Sequence, residues 1–285
     1  MYQSASLAGG LAWQRWAGLE GAGRMKFMIG VDCDGVACVV GQPGMSLSFA
    51  RDYRFACGQA TREADAAARA LFDAGAEKVI VWDNHGGGAN LEFDRLDPRC
   101  EIALGTGFGR RWPGLDETFA GVLMVGYHAM EGTPNGVLAH TYSPGAYRWI
   151  RVNGREVGEV AIDAAVAGEI GVPLIFVASD ERGCAEAREF LPWVETTATK
   201  TGQGRNCAFS KHPIRAQEDV YAGVQRAVAR LDDMKTFAFP APIEVEVRFK
   251  HLLQAAKARI RRPHWRFAGP YTLRRTFETL IDWAG

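Results

Sequence analysis

The sequence predicts an α/β fold: a mostly parallel sheet flanked by helices, with a smaller α/β subdomain at the C-terminus. Three observations predict it. Apolar runs at 26–31, 79–82 and 121–125 have the length and content of buried strands, and each leads into an acid or an imidazole. Between the first two runs, Ala60, Ala64, Ala67, Ala68, Leu71 and Phe72 recur at helical spacing, so the segment reads β-loop-α-β. That unit implies a parallel strand pair and a right-handed crossover. Finally, Phe239-Pro240-Ala241-Pro242 interrupts any regular element and separates a larger α/β domain, 25–238, from a C-terminal β-α-β-α subdomain, 239–285.

The elements follow in order. Residues 1–24 hold Trp13 and Trp16 but no continuous apolar stretch, and Met25-Lys26 stands directly before the first strand; they read as a disordered extension without a secretory signal. After the first strand, a Gly- and Ser-rich loop leads to the helical segment within 49–74, closed by Gly75, and a strand at 77–82 follows. Residues 91–118 carry Pro98, Pro113 and several glycines, and read as a connection with a short strand near 101–104. The next strand spans 121–127. Asn153-Gly154, between apolar-alternating flanks at 147–152 and 155–157, is a strong hairpin signal.

A helix from about Val157 and a strand at 173–178 come next, then a short helix at 184–190 and a strand at 194–200. A Gly-rich loop over 201–206 and a helix near 216–231 lead to the proline break. Beyond it the pattern predicts a strand at 243–249, a helix at 252–260 with Leu252, Leu253, Ala256 and Ile260 as its core face, a strand at 265–268 and a helix at 271–283.

Composition narrows the function classes. Hydrophobic residues make up 47% and charged residues 23%, ordinary for a globular protein, and no run of about 18 apolar residues suggests a membrane span. With 33 basic against 33 acidic side chains, net charge gives no general attraction to nucleic acid or membrane. Six scattered cysteines without a C-x-x-C pair read as thiols of a cytoplasmic protein. The segment 248–275 has nine Lys or Arg and no acid; it reads as a solvated or subunit-facing basic surface rather than a nucleic-acid interface.

The chemistry lies at the strand ends. Asp32 and Asp34 stand at i and i+2 on an extended segment, which points both carboxylates to one side. Open α/β sheets bind ligands at the carboxyl ends of their strands. His85 and His128 arrive at corresponding ends, and Glu159 begins the helix after the hairpin. Three carboxylates and two imidazoles make a mixed oxygen and nitrogen set suited to zinc and its first-row neighbours. Five ligands exceed the three of a usual single catalytic zinc, so two metals sharing a carboxylate is the economical arrangement. Each residue alone has a structural alternative as a capping, turn or loop residue; their joint placement favours metal.

These residues stand in ordered motifs: Val-Asp32-Cys-Asp34-Gly, Asp-Asn-His85, Gly-Tyr-His128-Ala, Gly-Val-Leu-Ala-His140 and Asn-Gly-Arg-Glu-Val-Gly-Glu159. On these motifs the chain resembles the zinc-dependent D-aminopeptidase family, from about Lys26 to the C-terminus. The resemblance implies two zinc ions per subunit, with Asp32 bridging, Asp34 and His85 on one metal, and His128 and Glu159 on the other. It also implies His140 as a catalytic residue, a short peptide substrate and a ring-built homo-oligomer. The family more often carries Glu where Asp34 stands, and one methylene less draws the carboxylate back by about an ångström.

The expected function is therefore a cytoplasmic metallopeptidase acting on the amino-terminal residue of short peptides, D-alanyl peptides among them. A metal-dependent amidohydrolase acting on another small amide, and a basic binding module with a structural metal, are the competing readings.

Overall fold

The structure, a computed structural model, describes residues 25–283. The extension expected at 1–24 lies outside the described residues. Strand β1 (Lys26–Val31) is followed by helix α1 (Tyr53–Asp73), β2 (Lys78–Asp83), β3 (Glu101–Ala103) and β4 (Gly121–Tyr127). A hairpin of β5 (Tyr147–Val152) and β6 (Arg155–Val157) leads into α2 (Glu159–Glu169), β7 (Leu174–Asp180), α3 (Glu181–Phe190), β8 (Glu195–Gly204), β9 (Cys207–Ser210) and α4 (Pro213–Ala229). The chain continues with β10 (Ile243–Phe249), α5 (Leu252–Arg261), β11 (Arg266–Gly269) and β12 (Thr272–Phe277).

The main sheet runs β3-β2-β1-β4-β7-β8-β9, parallel throughout except for β9 on the edge. After β1 the chain adds β2 and β3 on one side, then crosses to add β4 and β7 on the other. The order therefore reverses between β1 and β4, the point where such sheets leave a crevice at their carboxyl ends. Alternation along the strands sorts the side chains. Phe27, Ile29, Val79, Val81, Leu123 and Val125 face a layer with α1 and α4, whereas Met28, Ile80, Trp82, Val122 and Met124 face α2, α3 and a second sheet.

The second sheet is antiparallel, in the order β11-β12-β10-β5-β6. It draws strands from both sides of the proline break, since β10 pairs with β5. The Asn153-Gly154 turn has φ of 49° and 80°, the backbone of a tight hairpin turn.

Three expectations are corrected. The segment 271–283, expected as a helix, contains strand β12, so the C-terminal part is β-α-β-β; β12 pairs with β10, and Glu246 stands directly opposite Arg274 and bonds it at 2.7 Å. Tertiary pairing of a Thr- and Phe-containing segment overrides its ambiguous apolar spacing. The Gly-rich stretch 201–206 is largely strand, because β8 runs to Gly204 and turns into β9. A Cβ at Gly202 would lie 1.9 Å from the Asn135 carbonyl oxygen, so the glycine there admits a neighbouring backbone. Finally, α5 does not bury the expected face: Leu253 and Ile260 are 73% and 79% exposed.

Candidate metal centre

Two close backbone approaches bring the ends of β1 and β4 together. The Asp32 amide donates to the Val125 carbonyl at 2.8 Å, and the Gly35 amide donates to the Gly126 carbonyl at 2.7 Å. A Cβ on Gly126 would come within 2.0 Å of the Asp32 oxygen, and one on Gly35 within 1.7 Å of the Tyr127 oxygen. Gly126 also has φ of 76°. These glycines let the acids after β1 and the imidazole after β4 share one crevice.

Within it, the Asp32 carboxylate divides between two imidazoles. Its Oδ1 lies 2.6 Å from His85 Nδ1 and its Oδ2 lies 3.4 Å from His128 Nε2. Asp34 Oδ2 reaches the same His85 nitrogen at 3.1 Å, and Glu159 Oε1 reaches the same His128 nitrogen at 3.4 Å. All five sequence-expected residues are thus brought together, and Asp32, Asp34, His128 and Glu159 are buried. His140 joins them, its ring stacked on His128 with centroids 3.9 Å apart.

The protonation chemistry follows from these contacts. Burial alone would lower the His85 imidazole, but Asp32 and Asp34 outweigh it and lift it to about 11. Burial likewise opposes charge on His128, and Glu159 and Asp32 carry it well above the ordinary value. Burial works to raise Asp32 and Glu159, yet the neighbouring imidazoles hold both carboxyls down. His140 moves the other way, lowered first by burial and then by His128. A carbonyl can only accept, so the His140 Nδ1–H donates to Leu138 at 2.8 Å and Nε2 keeps its lone pair; the His128 Nδ1–H donates to Ala129 at 3.0 Å in the same way.

This crevice asks for a cation. Asp34 Oδ2 and His128 Nε2 are buried and, beyond the ionic contacts above, have no aligned hydrogen-bond partner among the described residues. Donor atoms lie within 4.8 Å of one another in three triads that could hold a metal: Asp32, Asp34 and His85; Asp32, His128 and Glu159; and Asp34, His128 and His140. The first two share Asp32. Oxygen and imidazole donors at this spacing fit zinc.

Several residues that sequence reasoning missed support the site. Asn90 donates from its backbone and side chain to Asp83, at 2.6 and 2.7 Å, and so fastens the loop carrying His85. The Tyr142 amide donates to Glu159 Oε1 at 2.6 Å. Asn84 donates to the Tyr127 hydroxyl, which donates to Asp163, which holds Arg111 in a two-pronged ion pair at 2.8 and 2.5 Å. Asp163 had a readable signal, because it stands four residues after Glu159 on one helix face. Arg111 and Tyr142 had none. A cavity of about 260 Å³ opens onto the cluster, with Ser48, Asn84, Arg111, His140 and Tyr142 in its wall.

Comparison with known proteins shows the family. The model of the D-aminopeptidase family, peptidase family M55, matches residues 25–284. A D-aminopeptidase of Bacillus subtilis (strain 168) is 32% identical over 240 residues, covering 83% of this chain and 85% of the relative. The solved structure of the Zn-dependent D-aminopeptidase DppA from Bacillus subtilis, described as a self-compartmentalizing protease, superposes with a TM-score of 0.85 at 29% identity, covering 90% of this chain and 93% of that one.

Proposed function

The chain belongs to the D-aminopeptidase family, and from that premise we propose that it is a metallopeptidase removing the amino-terminal residue of short peptides, D-alanyl peptides among them, with two zinc ions per subunit. One observation carries the reading: the Asp32 carboxylate stands between His85 and His128, one oxygen toward each. Asp34 and His85 would complete one zinc site, and His128 and Glu159 the other. Zinc, when bound, supplies Lewis acidity toward the scissile carbonyl and the attacking water.

The remaining steps belong to the chain. His140 Nε2, neutral and carrying a lone pair, takes the proton released on attack and returns it to the departing amine. The exposed apolar residues of α5, Leu252, Leu253 and Ile260, support assembly of several copies of the chain, as does the self-compartmentalizing relative. All six cysteines are unpaired, which supports a reducing, cytoplasmic setting.

The test is purified protein supplied with zinc, manganese or cobalt and given paired L- and D-alanyl peptides, with metal content measured in parallel. Metal-dependent release of D-alanine, with two metals per subunit, is expected. Hydrolysis of the L-peptides alone, or saturation without any peptide hydrolysis, would overturn the reading.

A further inference from the structure

A second cavity of about 340 Å³ adjoins the first, and the two share Asn84, Gly86, Arg111 and Tyr142 in their walls. Arg111 forms the partition. Its guanidinium lies 4.7 Å from the centroid of Trp82 and 5.2 Å from that of Tyr142, and Tyr142 in turn packs edge-on against Trp283 at 6.3 Å. Because Asp163 neutralises it, this arginine is a wall of the passage.

The two cavities differ in their charged residues. The acids of the first, Asp32, Asp34 and Glu159, are the candidate metal ligands. The second is lined by Arg110 and Arg262, and among the described residues no ion pair joins a carboxylate to either. Its one acid, Asp83, is buried and accepts from Asn90 and Leu91. Phe108, Tyr147 and Trp283 supply apolar walls between the cations.

A short peptide at neutral pH carries a cation at its amino end and an anion at its carboxyl end. With the scissile amide beside the cluster, the part of the peptide beyond it enters the second cavity, where its carboxylate meets the arginines. We infer that the second cavity is the subsite for the part of the peptide beyond the scissile bond, and that Arg110 and Arg262 recognise its terminal carboxylate. The inference rests on the aminopeptidase reading and adds what that reading leaves open: direction, length limit and the demand for a free carboxyl end. Ionised hydrogen bonds of this kind favour the free acid over its amide by roughly tenfold.

The test compares D-alanyl di- and tripeptides as free acids and as carboxamides, on the zinc-loaded enzyme. The free acid of at least one length is expected to be preferred roughly tenfold in kcat/KM, carried by KM. In Arg262→Ala and in Arg110→Gln that ratio should fall toward one. Arg262 is exposed and, among the described residues, its guanidinium lies near only the Trp265 ring, 5.9 Å from the centroid, so its variant tests recognition with little change in packing. Equal use of acid and amide at both lengths, or a ratio unchanged in both variants, would overturn the subsite. If no peptide is hydrolysed, the aminopeptidase reading fails by itself. Calorimetric binding of the same acid and amide pairs then decides the subsite separately, tighter binding of the acid supporting it and equal binding refuting it.

Discussion

The Lys200 ammonium donates to the backbone carbonyl of Asp34 at 2.7 Å, and to those of Val36 and Val39 at 2.8 and 2.6 Å. The lysine is 2% exposed, and Glu63, also buried, accepts from the Ala37 amide in the same loop at 3.0 Å. A buried cation from β8 thus fixes the turn that aims Asp34. Lys200→Met should leave three carbonyls unsatisfied, cost about 2–5 kcal/mol in thermal unfolding, and weaken zinc affinity by roughly tenfold or more. Unchanged zinc affinity in a destabilised variant would assign the lysine to stability alone.

His140 and His128 are stacked yet should behave differently. His140→Ala should retain zinc while lowering kcat by about 10² to 10⁴, the usual scale for one acid or base. His128→Ala should lose zinc as well as activity. Because His140 also falls in a triad with Asp34 and His128, zinc loss in His140→Ala would reassign it as a ligand.

Asp163 is fully buried and balances Arg111. Asp163→Ala should cost about 3–5 kcal/mol, since it leaves a guanidinium without its counter-charge. Chemical denaturation of the variant, compared with the double variant Asp163→Ala with Arg111→Met, measures the pair. Recovery of most of the stability in the double variant is expected.

Glu186 offers a pH test in the metal-free protein. It accepts from the Met130 amide at 2.7 Å while its other oxygen has no partner, and burial lifts its carboxyl from 4.5 to about 7. A folded value above the unfolded one means that ionisation costs stability progressively between about pH 4.5 and 7. Glu186→Gln should therefore gain on the parent protein as pH rises through that window, approaching about 3 kcal/mol near pH 8. A difference independent of pH would show that the carboxyl is not so perturbed.

Leu253 and Ile260 predict the assembly. Leu253→Asp and Ile260→Asp should shift the protein to smaller species in light scattering while leaving the fold intact by circular dichroism. An unaltered size would place the subunit contacts elsewhere.

The strands and the acids after β1 were legible in the sequence because burial on both faces gives continuous apolar runs, and period-two geometry makes Asp32 and Asp34 neighbours in space. The hairpin was legible because Asn153-Gly154 suits φ above zero. Residues acting across the fold were not: Lys200 works on a turn some 160 positions away, as a hydrogen-bond donor that leaves no periodic trace. The strand β12 is not legible locally, because its partner β10, not its own spacing, decides its conformation. The apolar residues of α5 look like a core face in sequence, and only the layers around them show that this chain alone leaves them uncovered.

The hairpin of β5 and β6 ends one residue before Gly158, and Glu159 follows it at the start of α2. One member of the cluster is therefore mounted on the antiparallel sheet, while Asp32, Asp34, His85 and His128 are mounted on the parallel one. The crevice is a seam, and it holds its five side chains in register only while the two layers stay docked. Loosening that seam would release the His128 side before the His85 side; on the two-zinc reading proposed above, a chelator should strip the metal in two stages.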